Sequence, residues 1–162
     1  MNCQIKQLHP HDWALWKEIR LEALKLYTFG SSYEEESLKT DEDFKQDLIT
    51  SDILGSFIKN KLVGVVGFQQ LKPLKQKHRG ILFGLYVKRE SQGQGIADKL
   101  IKAIIDHARQ RVLQLHCIVL PDNNKAIKLY QNNGFQLYGT APQSIKVGDK
   151  FYDEHLMVLK FT

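Results

Sequence analysis

The chain has 162 residues with 43% hydrophobic and 25% charged side chains, which is enough for one core and leaves no room for a second large domain. No apolar run approaches the ~20 residues of a membrane helix and no basic-then-apolar signal opens the chain, so we expect no membrane contact and a cytoplasmic location. No repeat, low-complexity tract or linker interrupts the sequence, which predicts that residues 1–162 form a single domain.

The first third of the chain predicts one strand and two helices. Residues 3–8 alternate between apolar and polar side chains, which is typical of a strand. Pro10 begins a helix whose apolar side chains recur at helical spacing until residues 28–32 break it. Thr40 is the expected N-cap of a second helix that ends near Ile49, because Asp43 follows it by three positions.

The remainder predicts six strands and two helices around one sheet. A three-stranded meander comes first, with a hairpin turn at Asn60 and Lys61, and its strands span residues 53–58, 62–71 and 81–87. A helix with an apolar stripe, a strand, a helix capped by Asn123 or Asn124, and two closing strands follow, at residues 96–109, 113–120, 124–134, 135–140 and 151–160. This order predicts an α/β (α+β) fold with a mixed, mostly antiparallel sheet of about seven strands and about four helices.

A glycine-containing loop joins the strand ending at Val87 directly to the next helix and reads Gln92-Gly93-Gln94-Gly95-Ile96-Ala97. The first N–H groups of a helix lack internal partners, and the helix dipole adds positive charge there. Glycines remove side-chain bulk, so these N–H groups can surround a phosphate. The loop lacks the Gly-Lys-Ser/Thr ending of a nucleoside-triphosphate site, and it lacks the third glycine and distant acid of a dinucleotide site.

Two motifs make the chain resemble the GNAT acetyltransferase superfamily. Gln92-x-x-Gly95-x-Ala97 is similar to the cofactor-loop signature Gln/Arg-x-x-Gly-x-Gly/Ala, which follows a central strand in that family. The run Asn-x-x-Ala-x-x-Leu-Tyr from Asn123 to Tyr130, with Gly134-Phe135 behind it, is similar to the second signature. The resemblance implies an N-acetyltransferase that moves the acetyl group of acetyl-coenzyme A directly to a primary amine, of a small molecule or a peptide, in a ternary complex without a metal.

The resemblance also implies roles for individual residues. The N–H groups of the loop would hold the pyrophosphate of coenzyme A, at Gln92, Gly93, Gln94, Gly95, Ile96 and Ala97. The backbone of Leu85, Tyr86 and Val87 would bind the pantetheine arm as if it were an extra strand, with a bulge at Gly84 opening the sheet. Asn123 would contact the cofactor arm. Tyr130 would contact the thioester sulfur as general acid, because a tyrosine of pKa ~10 can protonate a thiolate of pKa ~8.5 at modest cost.

The general base is the one role for which the chain departs from the family pattern. Some family members carry a glutamate on the strand before the loop, but residues 81–87 contain no acid. Glu34, Glu35, Glu36 and Asp153 are the remaining candidates, and Tyr86 could position a water molecule instead.

Two other functions stay open. The chain could be a non-catalytic domain that binds acyl-coenzyme A as a sensor. It could also bind nucleic acid through the basic segment 72–89, but the basic residues of that segment do not alternate with its aromatic residues, Phe83 and Tyr86, and no recognition motif is present, so we expect no nucleic-acid partner.

Charge and side-chain spacing give three further expectations. The acidic segment 34–52 favours a cationic acceptor such as a polyamine or a lysine-rich peptide. His9 and His11 have no third ligand nearby in sequence, so no metal site is expected. Cys3 and Cys117 are expected to be buried free thiols, and a symmetric homodimer stays open.

Overall fold

The computed structural model describes residues 2–27 and 31–161, so residues 28–30 of the break predicted at 28–32 lie outside the described part of the chain. The strands are β1 Cys3–Gln7, β2 Asp52–Ile58, β3 Lys61–Gln70, β4 Arg79–Val87, β5 Gln114–Val119, β6 Gln136–Val147 and β7 Lys150–Lys160. The α-helices are α1 Trp13–Leu26, α2 Tyr33–Glu36, α3 Asp41–Thr50, α4 Ile96–Arg109 and α5 Asn124–Asn132. The predicted fold class, with its mixed sheet and flanking helices, is confirmed.

One sheet contains all seven strands in the order β1-β2-β3-β4-β5-β7-β6. Its neighbours run antiparallel except for β4 and β5, which are parallel. This parallel pairing extends only from Arg79 opposite Gln114 to Ile81 opposite His116. Beyond Ile81 the two strands separate, although β4 continues to Val87, and a gap opens in the middle of the sheet.

Hydrophobic side chains fill both faces of this sheet. On one face α4 buries Leu100, Ile101 and Ile104 completely, together with residues of β3, β4 and β5. On the other face α1 and α3 bury Ile19 and Phe44 against β2 and β3. Each such side chain contributes about 1.5–3 kcal/mol by leaving water, so the two layers hold β4 firmly between them.

Local details refine the sequence prediction. The chain before α1 forms a 3-10 turn at Pro10–Asp12, and the hairpin turn is Lys59-Asn60, one residue earlier than predicted, with positive φ at both positions. The cap at Thr40 is confirmed, because its side chain accepts a hydrogen bond from the Asp43 N–H at 3.2 Å. The one-turn helix α2 was not predicted; Ser32 caps it by accepting from the Glu35 N–H at 3.1 Å.

The strand β6 is longer than predicted, ending at Val147 rather than at residue 140. Pairing with β7 extends it as far as Val147 opposite Lys150, although most of its side chains are exposed and carry no apolar alternation. Of the helices in the described residues, none is long and apolar enough to cross a membrane.

Candidate functional site

A β-bulge in β4 lies at the edge of the central gap. The β3–β4 register changes from Val65 opposite Tyr86 to Gly67 opposite Phe83, so β4 has one extra residue between these pairs. Gly84 occupies this position with φ of +66°, a left-handed conformation that favours glycine. The predicted bulge and separation of strands are therefore confirmed, and Leu85, Tyr86 and Val87 follow them without a partner strand on the β5 side.

The loop between β4 and α4 presents a continuous set of backbone donors. Among the described residues, the N–H groups from Gly93 to Asp98 have no hydrogen-bond partner. The N–H of Gln92 is different, because it donates to the Arg89 carbonyl oxygen at 3.3 Å. Its side-chain Nε2 donates to the Val87 carbonyl oxygen at 2.9 Å, which closes the loop onto β4. Gln92 therefore shapes the loop, and the free donors begin at Gly93.

The two glycines of the loop border open space. Gly93 and Gly95 both have φ of +78°, and a Cβ atom added to either would meet no atom within 4 Å. Free N–H groups at the start of a fourteen-residue helix suit a diphosphate, since backbone donors and the helix dipole both favour an anion. The loop residues thus suit the pyrophosphate of coenzyme A.

Asp98 is an acidic residue in the first turn of α4, where it would oppose a bound anion. Its carboxylate is compensated by Lys102 and also accepts from Asn133 Nδ2 at 3.0 Å. The hydrogen bond from Lys102, and after it the one from Asn133, holds the Asp98 pKa below its ordinary value. The contact with Asn133 ties α4 to the end of α5, so the helix carrying the loop and the helix carrying Tyr130 are fixed together.

Tyr130 lies on α5 on the same side of the sheet as α4. The ring is only 6% exposed and packs on Phe135 with 5.5 Å between ring centroids. Its hydroxyl makes no hydrogen bond to another described residue. Burial, and to a smaller extent the neighbouring Cys117 of β5, raises the pKa of Tyr130 well above its ordinary value. Tyr130 therefore keeps its proton at any working pH and has a free O–H next to β5.

Asn123 caps α5, because its side-chain oxygen accepts from the Ala126 N–H at 3.2 Å. The residue is exposed. The structure thus assigns Asn123 the role of helix cap, and its contact with the cofactor arm stays a prediction.

The acidic candidates for a general base lie in different surroundings. Glu34 is exposed, and the carboxylate of Glu35 accepts from Ser32 within α2. Asp153 accepts from the Gln143 N–H at 2.7 Å and so belongs to the β6–β7 hairpin. Glu36 is enclosed and lies 3.6 Å from the Arg20 guanidinium. Of these four acids, only Glu36 has contacts that lead toward the β4 bulge.

Glu22, an acid that the sequence did not identify as a candidate, contacts β4 through a hydrogen bond. The Tyr86 hydroxyl donates to Glu22 Oε2 of α1 at 2.6 Å. Burial, followed by the hydrogen bond to Glu22, raises the pKa of Tyr86 well above its ordinary value. Glu22 and Tyr86 are 64 positions apart, and no local signal in α1 marks this contact.

Residues 13–135 match the family model described as acetyltransferase (GNAT). The chain belongs to the GNAT acetyltransferase family. The match contains α1, the bulged strand β4, the loop from Gln92 to Ala97 and Tyr130, so the features described above lie inside the segment that defines the family.

Individual relatives in the GNAT family share part of the sequence. The chain is 30% identical over 104 residues to the ribosomal-protein-serine acetyltransferase of Escherichia coli K12, which covers 62% of this chain and 55% of that protein. It is 29% identical over 98 residues to the spermidine N(1)-acetyltransferase of Vibrio cholerae, covering 59% and 56%. The matched segment thus spans about half the length of these curated relatives.

A solved structure shares the fold along nearly its whole length. The protein yncA from Salmonella typhimurium, solved with its cofactor acetyl-CoA, gives a TM-score of 0.85 at 22% identity. The comparison covers 99% of this chain and 94% of that one. Within residues 2–27 and 31–161, no group of three or more His, Cys, Asp or Glu side chains is arranged to hold a metal ion.

Proposed function

We propose that this chain transfers the acetyl group of acetyl-coenzyme A directly to a primary amine in a ternary complex. The observation that carries the proposal is the row of free N–H groups from Gly93 to Asp98 beside the gap between β4 and β5. Family membership and the acetyl-CoA of the Salmonella structure support coenzyme A as the ligand of this row.

Acetyl-coenzyme A supplies an activated thioester, and the chain holds and orients it. The loop binds the diphosphate, and the unpaired β5-side backbone of Leu85 to Val87 binds the pantetheine arm as a strand would. A backbone N–H of the same segment stabilises the carbonyl oxygen as it becomes negative. The nitrogen–carbon bond forms, the carbon–sulfur bond breaks, and the Tyr130 hydroxyl donates its proton to the departing sulfur. The proton that the nitrogen loses as the amide forms returns through solvent to the Tyr130 oxygen, so no tyrosinate persists despite the raised pKa.

The amine must lose a proton before it can attack. An alkylamine of pKa ~10.4 is neutral in about one molecule per thousand at pH 7, so the rate of transfer should rise with pH. Tyr130 is protonated throughout this range, because its pKa is raised. The rise of the transfer rate with pH therefore reports the deprotonation of the acceptor amine, or of a group that takes the proton of the amine.

The identity of the acceptor is the finer part of the proposal. One relative is named for N(1) of spermidine, and this name supports an amine acceptor; another is named for the serine of a ribosomal protein, which offers an amine where that serine is N-terminal. Lysines already compensate several acids of the 34–52 segment, since Lys39 contacts Glu36 and Asp47, and Lys17 contacts Asp41. The segment's attraction for cations is therefore weaker than its composition implies, although Glu34 stays unpaired by lysine or arginine among the described residues.

A screen of amines with acetyl-CoA, following the release of free thiol, tests the proposed transfer. We expect turnover with at least one polyamine, peptide or small amine. If acceptance depends on the acidic segment, the turnover of polyamines should fall as salt is raised from about 0.05 to 0.5 M. Tight binding of acetyl-CoA without thiol release for any amine would instead favour the sensor function. No binding of coenzyme A at all would contradict both.

Cys117 tests whether the transfer is direct. The residue is 2% exposed, and burial raises the pKa of its thiol to about 12, so it is neither ionised nor accessible at neutral pH. We expect Cys117→Ala to keep turnover within about threefold, and we expect no acetylated enzyme by mass spectrometry when acetyl-CoA is added alone. Half-buried Cys3, which is more open than predicted, serves as the control and should react with a thiol reagent in the folded protein. A stable acetyl group on Cys117 would contradict direct transfer.

A further inference from the structure

We propose that Arg20 is a ligand-contacting residue, whose guanidinium donates hydrogen bonds to a substrate oxygen bound at the β4 bulge. This inference rests on the proposed acetyl transfer and adds a specificity-determining contact to it. Arg20 lies on α1, and a Cβ atom added to Gly84 would be 3.2 Å from its Nη1. The guanidinium is thus in direct reach of the strand residue whose conformation opens the gap in the sheet.

The surroundings of Arg20 are unusual for a charged side chain. It is 9% exposed as a residue, and buried guanidinium groups ordinarily have most of their donors satisfied. Here the guanidinium makes no hydrogen bond to any described residue; its contacts are an ion pair with Glu36 and the face of the Trp16 ring at 5.8 Å. Several N–H donors of a nearly buried cation are therefore left over.

Glu36 is placed as a counter-ion and not as the group that meets the substrate. Its Oε2 lies 3.6 Å from Arg20 Nε, is fully enclosed, and has no hydrogen-bond partner, while its Oε1 lies 3.3 Å from Lys39. The Arg20 side chain keeps 10% of its surface exposed, and its nitrogens are not among the enclosed atoms without partners in the described chain. Glu36 thus holds the guanidinium from one side, and the donors are free on the other.

The chemistry of the site follows from this orientation. A guanidinium offers a planar set of donors and no acceptor, so its ligand is a carbonyl or carboxylate oxygen. Two substrates can supply such an oxygen at the bulge: the acetyl carbonyl of the co-substrate, and a carboxylate carried by the acceptor amine. In either case the burial of Arg20 strengthens the contact, because less water competes for the charge.

The decisive comparison uses Arg20→Gln and Arg20→Lys, with Lys17→Gln as the matched control. Lys17 is a cation on the same helix, and its partner Asp41 lies on α3, at 3.3 Å. Calorimetry measures the affinity of each variant for acetyl-CoA and for free coenzyme A. Steady-state kinetics use the best amine of the screen. Where that amine carries a carboxylate, both the free acid and its amide are measured. Arg20→Lys keeps the charge but loses the planar set of donors, and it replaces Arg20→Gln in these measurements if the glutamine variant does not fold.

We expect Arg20→Gln to lower kcat/KM by about 10- to 100-fold, the loss typical of a hydrogen bond to a charged group, with Lys17→Gln within twofold of the wild type. A lower kcat for every acceptor, with a smaller preference for acetyl-CoA over coenzyme A, identifies the acetyl oxygen. A raised KM for the acid form alone identifies an acceptor carboxylate.

Two results would overturn the contact. The first is a folded Arg20→Gln variant with unchanged kinetics. The second is an equal loss of affinity for acetyl-CoA and coenzyme A, which would assign Arg20 a structural role. An inactive wild-type protein would count against acetyl transfer itself, so the failures of the two proposals are distinguishable.

Discussion

Gly95→Val should weaken the binding of coenzyme A by about 10- to 100-fold while the protein stays folded. The added side chain enters the space in front of the free N–H groups, where it meets no protein atom and would meet the diphosphate instead. Valine also disfavours the φ of +78° at this position, which costs about 1–3 kcal/mol of stability and shifts the donors. Isothermal calorimetry with coenzyme A measures the affinity, and thermal unfolding monitors the fold.

Gly148→Val is the matched control for this substitution. Gly148 has φ of +60° in the turn between β6 and β7, and a Cβ atom added there also meets nothing within 4 Å. The backbone strain is therefore similar, but the residue lies outside the loop. We expect both variants to lose stability and only Gly95→Val to lose affinity. Equal affinities in the two variants would mean that the diphosphate binds elsewhere.

Tyr130→Phe should lower kcat by about 100-fold or more and leave the affinity for coenzyme A nearly unchanged, since general acids typically contribute two to four orders of magnitude. The hydroxyl makes no hydrogen bond to the described residues, so its removal should barely change the free energy of unfolding. Single-turnover measurements with a saturating amine separate the chemical step from product release.

Tyr138→Phe removes a hydroxyl of the same chemistry from an exposed tyrosine that contacts His116 Nδ1 at 3.2 Å, and it should keep full turnover. The wild-type profile should show no fall from Tyr130 ionisation as pH rises toward about 10, because burial has moved its pKa upward. Unchanged kcat in Tyr130→Phe would remove the residue from the mechanism and leave solvent as the proton donor.

The candidate site divides into a part that could be predicted and a part that could not. The loop from Gln92 to Ala97 was predictable because neighbouring residues create it: a strand ends, two glycines permit left-handed backbone, and a helix begins. Tyr130 was found through its motif on α5. The sequence did not predict that the Gln92 side chain closes the loop. Its partner is the backbone carbonyl oxygen of Val87, and every residue type has such an oxygen, so no pattern of side chains marks the contact.

The fold was predicted in outline for a similar reason. Periodicity locates elements that bury one face, which is why α4 agreed with its predicted span and Thr40 with its predicted cap. The helix α2 and the far half of β6 carry no such periodicity. The cap at Ser32 stabilises α2, and pairing with β7 stabilises the far half of β6. Neither interaction produces a hydrophobic pattern in the sequence.

The sequence by itself determined the glycine-containing loop from Gln92 to Ala97, the order of strands and helices, and the place of Tyr130 on α5, since each depends on residues within a few positions of one another. Only the tertiary structure decided that Glu22 accepts a hydrogen bond from Tyr86, and that Arg20, paired with Glu36, reaches Gly84. Those contacts join α1, α2 and β4 across dozens of residues. They exist because packing on both faces of the sheet fixes where distant side chains meet, which no local pattern encodes.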